Sequence, residues 1–174
     1  MQEQPEGRRA LSARGPAARR NFVPPPILML IAAAVMWVLH RWFPVAYWIA
    51  PPWTRLGVIP CAVGIAIDLL AVLRFRHART TLNPLNPGKA SRLVTEGVFS
   101  ISRNPMYLGL LLLLVGWALW LGTASVWLVP PLFVAVLTFA QILPEERVLG
   151  ELFGAEYSAY TRAVARWIGR RSAP

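Results

Sequence analysis

Residues 93–109 read LVTEGVFSISRNPMYLG. An almost unbroken apolar run follows at 110–143, LLLLLVGWALWLGTASVWLVPPLFVAVLTFAQIL, and then PEERVLGELFGAEYSAYTRAVARW at 144–167. About 20 apolar residues cross roughly 30 Å of hydrocarbon at 1.5 Å per residue. The run, broken only at Gly122-Thr123, therefore predicts two membrane-spanning helices in a tight hairpin, 106–122 and 124–143. A hairpin returns to the side it left. Arg103, Asn104-Pro105 and the pair Glu145-Glu146 thus meet at one boundary of the membrane.

The rest of the chain agrees. With 56% hydrophobic and 15% charged residues in 174, it is one domain whose composition is not that of a soluble protein. Two further apolar stretches, 25–43 and 56–73, bring the expectation to an all-α, multi-pass membrane bundle of about four spans with C-terminal amphipathic helices. Sixteen of the eighteen basic residues then fall on one face, leaving Arg41 and Arg55 beside the first opposite loop. The positive-inside rule makes that face cytoplasmic, with both termini on it, as in a bacterial inner membrane. Trp42, Trp48, Trp53, Trp120 and Trp127 fall near the other boundary, like an interfacial aromatic belt. The net charge of +10 is explained by orientation and attraction to anionic headgroups, and nucleic acid is not an expected partner. The lone Cys61 excludes an intrachain disulfide and a cysteine zinc cluster. Residues 1–22 lack a signal-peptide pattern and read as a disordered basic cytoplasmic tail, with 23–174 as the membrane domain.

Along the chain, Pro24-Pro25-Pro26 precedes the first span. The connection 74–103 carries two Asn-Pro pairs and Pro87-Gly88, which mark turns. Pro130-Pro131 is expected to bend the fourth span. Beyond Pro144, Leu149, Leu152, Phe153, Tyr157, Tyr160, Val164 and Trp167 recur at spacings of three and four. They form a stripe suited to the membrane surface or to the connection before span three, with a break at Gly154.

The chemistry-bearing residues are few. Asn104 suits a helix N-cap and Pro105 the first helical position, so free amides and a positive dipole end, beside Arg103, make an anion site. Glu145 and Glu146 suit the start of the amphipathic helix. Beyond capping, one is expected to pair with Arg103 or Arg147, and the other to bind an ammonium or a ribose hydroxyl pair. Asp68, inside span two, needs a partner (Arg103, Arg74 or a backbone donor) or a water-filled cavity. Tyr107 is a belt aromatic or lines a pocket. His40 and His77 have no metal-ligand companions, so no metal is expected. Gly-rich nucleotide loops and a Ser or Cys nucleophile with a base are missing, which favours chemistry that depends on holding two reactants in line.

The blocks LVTEGVF, SRNPMYLG, EE and LFGAEYSAYTRAVARW resemble the isoprenylcysteine carboxyl methyltransferase family of integral membrane enzymes, within a wider group of phospholipid and thiol methyltransferases. The resemblance covers about 80–170. It implies S-adenosylmethionine as methyl donor, bound on the cytoplasmic side, and a lipophilic small-molecule or lipid acceptor that arrives from the bilayer. It also implies site residues. The stretch Ser91, Arg92, Leu93 and Val94 looks like the backbone that holds the adenosine end, with Gly97 nearby and Phe99 at a position often tyrosine. Arg103, Asn104, Pro105 and Tyr107 match an Arg-His-Pro-x-Tyr block, and Glu145, beside Glu146, matches a cofactor-binding glutamate. Arg103 and Glu145 are thereby candidate catalytic residues, as is Gln141. The last stands where the prenylcysteine enzymes carry an arginine that contacts the substrate carboxylate. Without that charge, a thiol, an amine or another neutral acceptor stands beside a carboxyl one. Oligomeric state is not legible. Competing expectations are an NADPH-dependent reductase of the sterol reductase type and a non-enzymatic protein that binds anionic lipid.

Overall fold

In the computed structural model, which describes residues 23–77 and 92–170, every regular element is helical. Helix α1 spans Pro25–Trp42, with proline in its first turn where no amide hydrogen is missed. A 3₁₀ turn, Trp53–Gly57, leads into α2, Val58–His77. After a second 3₁₀ turn at Gly97–Ser100 comes α3, Pro105–Leu121, which closes on Gly122 in the left-handed conformation (φ 71°). A third 3₁₀ turn, Ser125–Leu128, opens a continuous helical stretch made of α4 (Val129–Leu137), a π-helical turn (Thr138–Ile142) and α5 (Leu143–Ala163).

Among the described residues, three helical stretches are long and apolar enough to cross a membrane: Pro25–Trp42, Trp53–His77 and Ser125–Ala163. Helix α3, at 17 residues, is shorter, about 26 Å by its rise, at the low end of what a bilayer needs. It is also the centre of the bundle. One face packs along α2 through small residues. A Cβ on Gly64 would stand 2.7 Å from the Gly109 carbonyl, and one on Gly57 would strike the Gly116 carbonyl. Such close approach lets two apolar helices gain dispersion contacts that lipid cannot supply. The other face contributes Leu110, Leu114, Ala118 and Leu121 to a core completed by Met36 of α1 and Val129, Phe133 and Leu137 of α4. Leu30, Ile31, Val35, Ile59, Val63, Leu69, Leu132 and Phe139 face outward, as a bilayer-exposed surface requires.

At the tryptophan-bearing end, the α1–α2 loop pairs with the α3–α4 hairpin. Trp48 donates to the Gly122 carbonyl at 2.9 Å, and the Ala124 amide to the Ala46 carbonyl at 2.8 Å. His40 Nδ1 lies 3.3 Å from Thr123 Oγ1, so this histidine has a local structural partner.

Two expectations are corrected here. Span two does not stop near Leu73: the helix runs on to His77, carrying Arg74 and Arg76 with it. Pro130-Pro131 does not bend a span. The two prolines occupy the first turn of α4, after the 3₁₀ turn, where their missing amides cost nothing. The departure from α geometry comes instead at Thr138–Ile142, one turn before Pro144. A proline ring collides with the carbonyl four residues back, and a widened turn relieves that collision. The break at Gly154 is as expected: φ 49°, ψ −116° inside α5. The tail 1–22, the 78–91 part of the connection and Ser91 lie outside the described residues.

Candidate functional site

The basic end of the bundle is stitched together by the short segment 164–170, which follows α5 and doubles back in a Val164–Arg170 bridge. The Arg103 amide donates to the Ala165 carbonyl at 3.1 Å, and the Gly169 amide to the Ile101 carbonyl at 2.8 Å. This clamps the start of α3. Asn104 occupies the N-cap position, its carbonyl accepting from Leu108 at 3.0 Å, but its side chain makes no cap. Its Nδ2 donates to the Arg166 carbonyl at 3.1 Å, and Ser102 Oγ accepts the Asn104 amide at 3.1 Å. The expected side-chain cap is therefore replaced by a tether to the C-terminal segment.

Glu145 and Glu146 do not begin a helix, contrary to the capping account, since the backbone is already helical upstream through Ile142. Consecutive helical residues point about 100° apart, so the two carboxylates separate. Glu146 is fully engaged: Arg103 Nη1 lies 3.1 Å from it, and Arg166 donates to both its oxygens at 2.9 and 2.7 Å. Arg103 also donates to Tyr157 Oη at 3.4 Å, and its side chain is only 7% exposed. The hydrogen bond to Glu146 holds the Arg166 guanidinium above its usual range, and burial raises the Tyr157 phenol. Arg103 thus pairs with one glutamate of the two, one of the expected alternatives, and is not a free cation beside the helix start. What it retains is its Nε hydrogen, buried and without a partner.

Glu145 is different. It accepts a 2.7 Å hydrogen bond from the Tyr107 hydroxyl and has no cation within 4.0 Å among the described residues. It lies just beyond the apolar part of the fourth span. Burial pushes its carboxyl up to about 7, the Tyr107 hydrogen bond opposing this and the Glu146 charge adding to it. A buried carboxylate of this kind is stabilised by a cation brought to it.

Gln141, one turn before Glu145, lies in the π turn and is 3% exposed. Its Nε2 donates to the Val23 carbonyl, at the start of α1, at 3.0 Å, while Oε1 is buried without a partner.

The 92–100 connection is placed by aromatic packing. Phe99 is buried edge-on against Phe75 (5.0 Å, 79°), and its carbonyl accepts from Tyr160 Oη at 2.6 Å. It is a packing residue and not an open wall. Leu93 packs against Tyr157, Tyr160 and Val164, the stripe that the periodicity identified. Arg92 is exposed, Val94 half-buried, and Gly97 (φ 63°) lies against the Arg74 guanidinium. Asp68 pairs with neither Arg103 nor Arg74. Among the described residues its Oδ1 is buried without a partner, against the bare backbone of Gly109 on the α2 face of α3. No cluster of metal-ligating side chains exists among the described residues.

A family model described as phospholipid methyltransferase matches residues 53–156, which takes in α2, α3, α4, the π turn and most of α5. The chain belongs to the phospholipid methyltransferase family. It is 33% identical over 116 residues to protein-S-isoprenylcysteine O-methyltransferase A of Arabidopsis thaliana, covering 64% of this chain and 57% of that protein. A probable protein-S-isoprenylcysteine O-methyltransferase of Oryza sativa subsp. indica is 29% identical over 125 residues, 68% of this chain and 60% of the rice protein. An uncharacterized protein of Haemophilus influenzae is 46% identical over 63 residues, 36% of this chain and 100% of that protein. The chain thus spans somewhat over half the length of the plant relatives.

For this phospholipid methyltransferase family member, the matched segment contains Arg103, Asn104, Pro105, Tyr107, Gln141, Glu145 and Glu146. The structure brings them to one end of the bundle. Arg166, which completes the Glu146 network, lies outside the matched segment, as does the 164–170 clamp. Sequence reading counted Arg166 among the orienting arginines and overlooked its role. Gly169, at φ 113°, was the available signal for a chain reversal there.

Proposed function

We propose that this chain is an integral membrane S-adenosylmethionine-dependent methyltransferase that acts on a small lipophilic acceptor arriving from the bilayer. The observation that carries this reading is Glu145: a buried carboxylate on α5, fixed by Tyr107 of the first turn of α3, with no cation of its own among the described residues.

The residues present fit the donor. Its cationic end suits Glu145. Its carboxylate suits the first-turn amides of α3, which Asn104's side chain leaves uncovered, together with the unpartnered Arg103 Nε. The stretch Ser91 to Val94 is proposed for the adenosine end. When bound, S-adenosylmethionine supplies a sulfonium-activated methyl group. The chain's part is to hold, orient and exclude water, since methyl transfer gains most from approximation in a dry site. Glu146, held by Arg103 and Arg166, keeps the α3 start and α5 in register and leaves Glu145 for the ligand. The arginine-rich end is proposed to face the cytoplasm, where the donor is made.

Transfer of labelled methyl from S-adenosylmethionine into a lipid extract by the purified protein tests the reading. S-adenosylmethionine is expected to raise the thermal midpoint and NADPH to leave it unmoved, because a ligand stabilises the state it binds. Stabilisation by NADPH alone would point to a reductase, and no response to either to a lipid-binding protein.

A further inference from the structure

The 164–170 clamp has a buried side and an exposed side. On the buried side the Arg103 amide donates to the Ala165 carbonyl, and the Arg166 guanidinium holds Glu146. The exposed side carries two isoleucines. Ile101 is 53% exposed and Ile168 67%, and the Gly169 amide donates to the Ile101 carbonyl, so the two belong to adjoining segments of one clamp. Neighbouring apolar side chains left exposed mark a partner or membrane surface.

The depth of the clamp says which. Trp167, between Arg166 and Ile168, packs against the core cluster that Leu28 of α1 and Tyr107 of α3 also join. Both residues lie in the first turn of their helices, so the clamp sits level with the helix starts. Helix α3 is about 26 Å long against roughly 30 Å of hydrocarbon, which draws its start, and the residues before it, towards the bilayer edge. Charge fits the same surface. Arg170, two residues after Ile168, is exposed, as are Arg92 and Arg162, while the exposed Glu151 and Glu156 lie upstream on α5. Apolar side chains flanked by arginines suit a headgroup layer, where isoleucine meets acyl chain and guanidinium meets phosphate.

We propose that Ile101, Ile168 and Arg170 form a docking surface for the anionic headgroup layer of the bilayer that the chain spans, and that docking holds the clamp, and with it the donor site, assembled. The second half rests on the donor site proposed at Glu145. Only two residues separate Ile168 from Arg166, whose guanidinium holds Glu146 and whose carbonyl receives Asn104. A lipid surface that binds the closed clamp better than the open one raises donor affinity by the same factor.

The test uses the full chain in vesicles of phosphatidylcholine with and without phosphatidylglycerol. A nitroxide at Ile168→Cys, in a Cys61→Ala background, is expected to be reached more readily by oxygen than by a water-soluble nickel chelate, and to lie deeper when phosphatidylglycerol is present. The same label at the exposed Glu151→Cys is the reference. A label at 168 as open to the chelate as the one at 151, or at equal depth in both vesicles, would overturn the docking surface. Affinity is measured with S-adenosylhomocysteine, which has no net charge and is not concentrated by an anionic surface. It is expected to bind about fivefold tighter with phosphatidylglycerol, the effect of one arginine at such a surface. Ile168→Glu and Arg170→Gln should each erase that gain and keep wild-type affinity in detergent; if the first does not fold, the second decides. Equal affinity in both vesicles, or a gain retained in the variants, would overturn the coupling. Protein that binds S-adenosylhomocysteine in neither vesicles nor detergent would show that the donor site has failed, and the nitroxide depth would still decide the docking surface.

Discussion

Glu145 and Glu146 are neighbours in sequence and face opposite demands. Glu146 compensates Arg103, whose side chain is 7% exposed, and Arg166. Glu146→Ala would leave the Arg103 charge buried and unpaired, at a cost of about 3–5 kcal/mol. A fall in the denaturation midpoint is the readout, and an unchanged midpoint would show the pair to be dispensable. In the proposed function, Glu145 is the residue whose ionisation would report ligand binding. With its carboxyl raised to about 7, it is largely neutral in the free protein below that pH. A cationic ligand needs it ionised, so S-adenosylmethionine affinity should climb as pH rises from 5.5 to 7, by at most about tenfold per unit, with proton release on binding. The groups that set this window are Tyr107 across the interface and Glu146 on its own helix. For folding the sign is opposite. A carboxyl whose folded pKa is raised loses native-state stability as pH rises from its unfolded value through about 7, so Glu145→Gln should flatten both profiles.

At the scale of the element, the π turn before Pro144 sets the relation between Gln141 and Glu145. Pro144→Ala removes the reason for widening the turn and restores an amide donor. The expected result is loss of donor affinity with a thermal midpoint equal to or above that of wild type; unchanged affinity would show that the turn does not position the site. The α2–α3 contact makes the contrary prediction. Gly64→Leu must push its side chain into the Gly109 backbone, and it should destabilise by roughly 1–3 kcal/mol while weakening donor binding only through folding. Proteolysis in detergent measures it, and wild-type resistance would mean the helices separate at no cost. Sequence reading found these helices by their apolar length and missed the glycine seam, because Gly57, Gly64, Gly109 and Gly116 only acquire meaning when two helices are set in register. It misread Pro130-Pro131 as a bend for a related reason: whether a proline breaks or begins a helix depends on the turn before it.

For the whole molecule, the membrane class, the amphipathic stripe and the meeting of the α3 start with the glutamate pair were legible from periodicity and hairpin geometry alone. The allocation of charges was not. Nothing in the order Arg103, Glu145, Glu146, Arg166 says which carboxylate is neutralised, since that depends on a chain reversal at 164–170 that brings the last arginine back over the bundle. That clamp ties the start of α3, inside the family's matched segment, to residues beyond the segment's end.

The account rests on Glu145 being the buried carboxylate left for a cationic methyl donor. Equilibrium binding of S-adenosylmethionine to the detergent-solubilised chain, measured for wild type, Glu145→Gln and the exposed control Glu151→Gln, tests it most directly. The expected result is a loss of roughly tenfold to a hundredfold in Glu145→Gln alone, with its thermal midpoint preserved or raised because Tyr107 keeps an acceptor and the buried charge is gone. Equal affinity in all three proteins would contradict it.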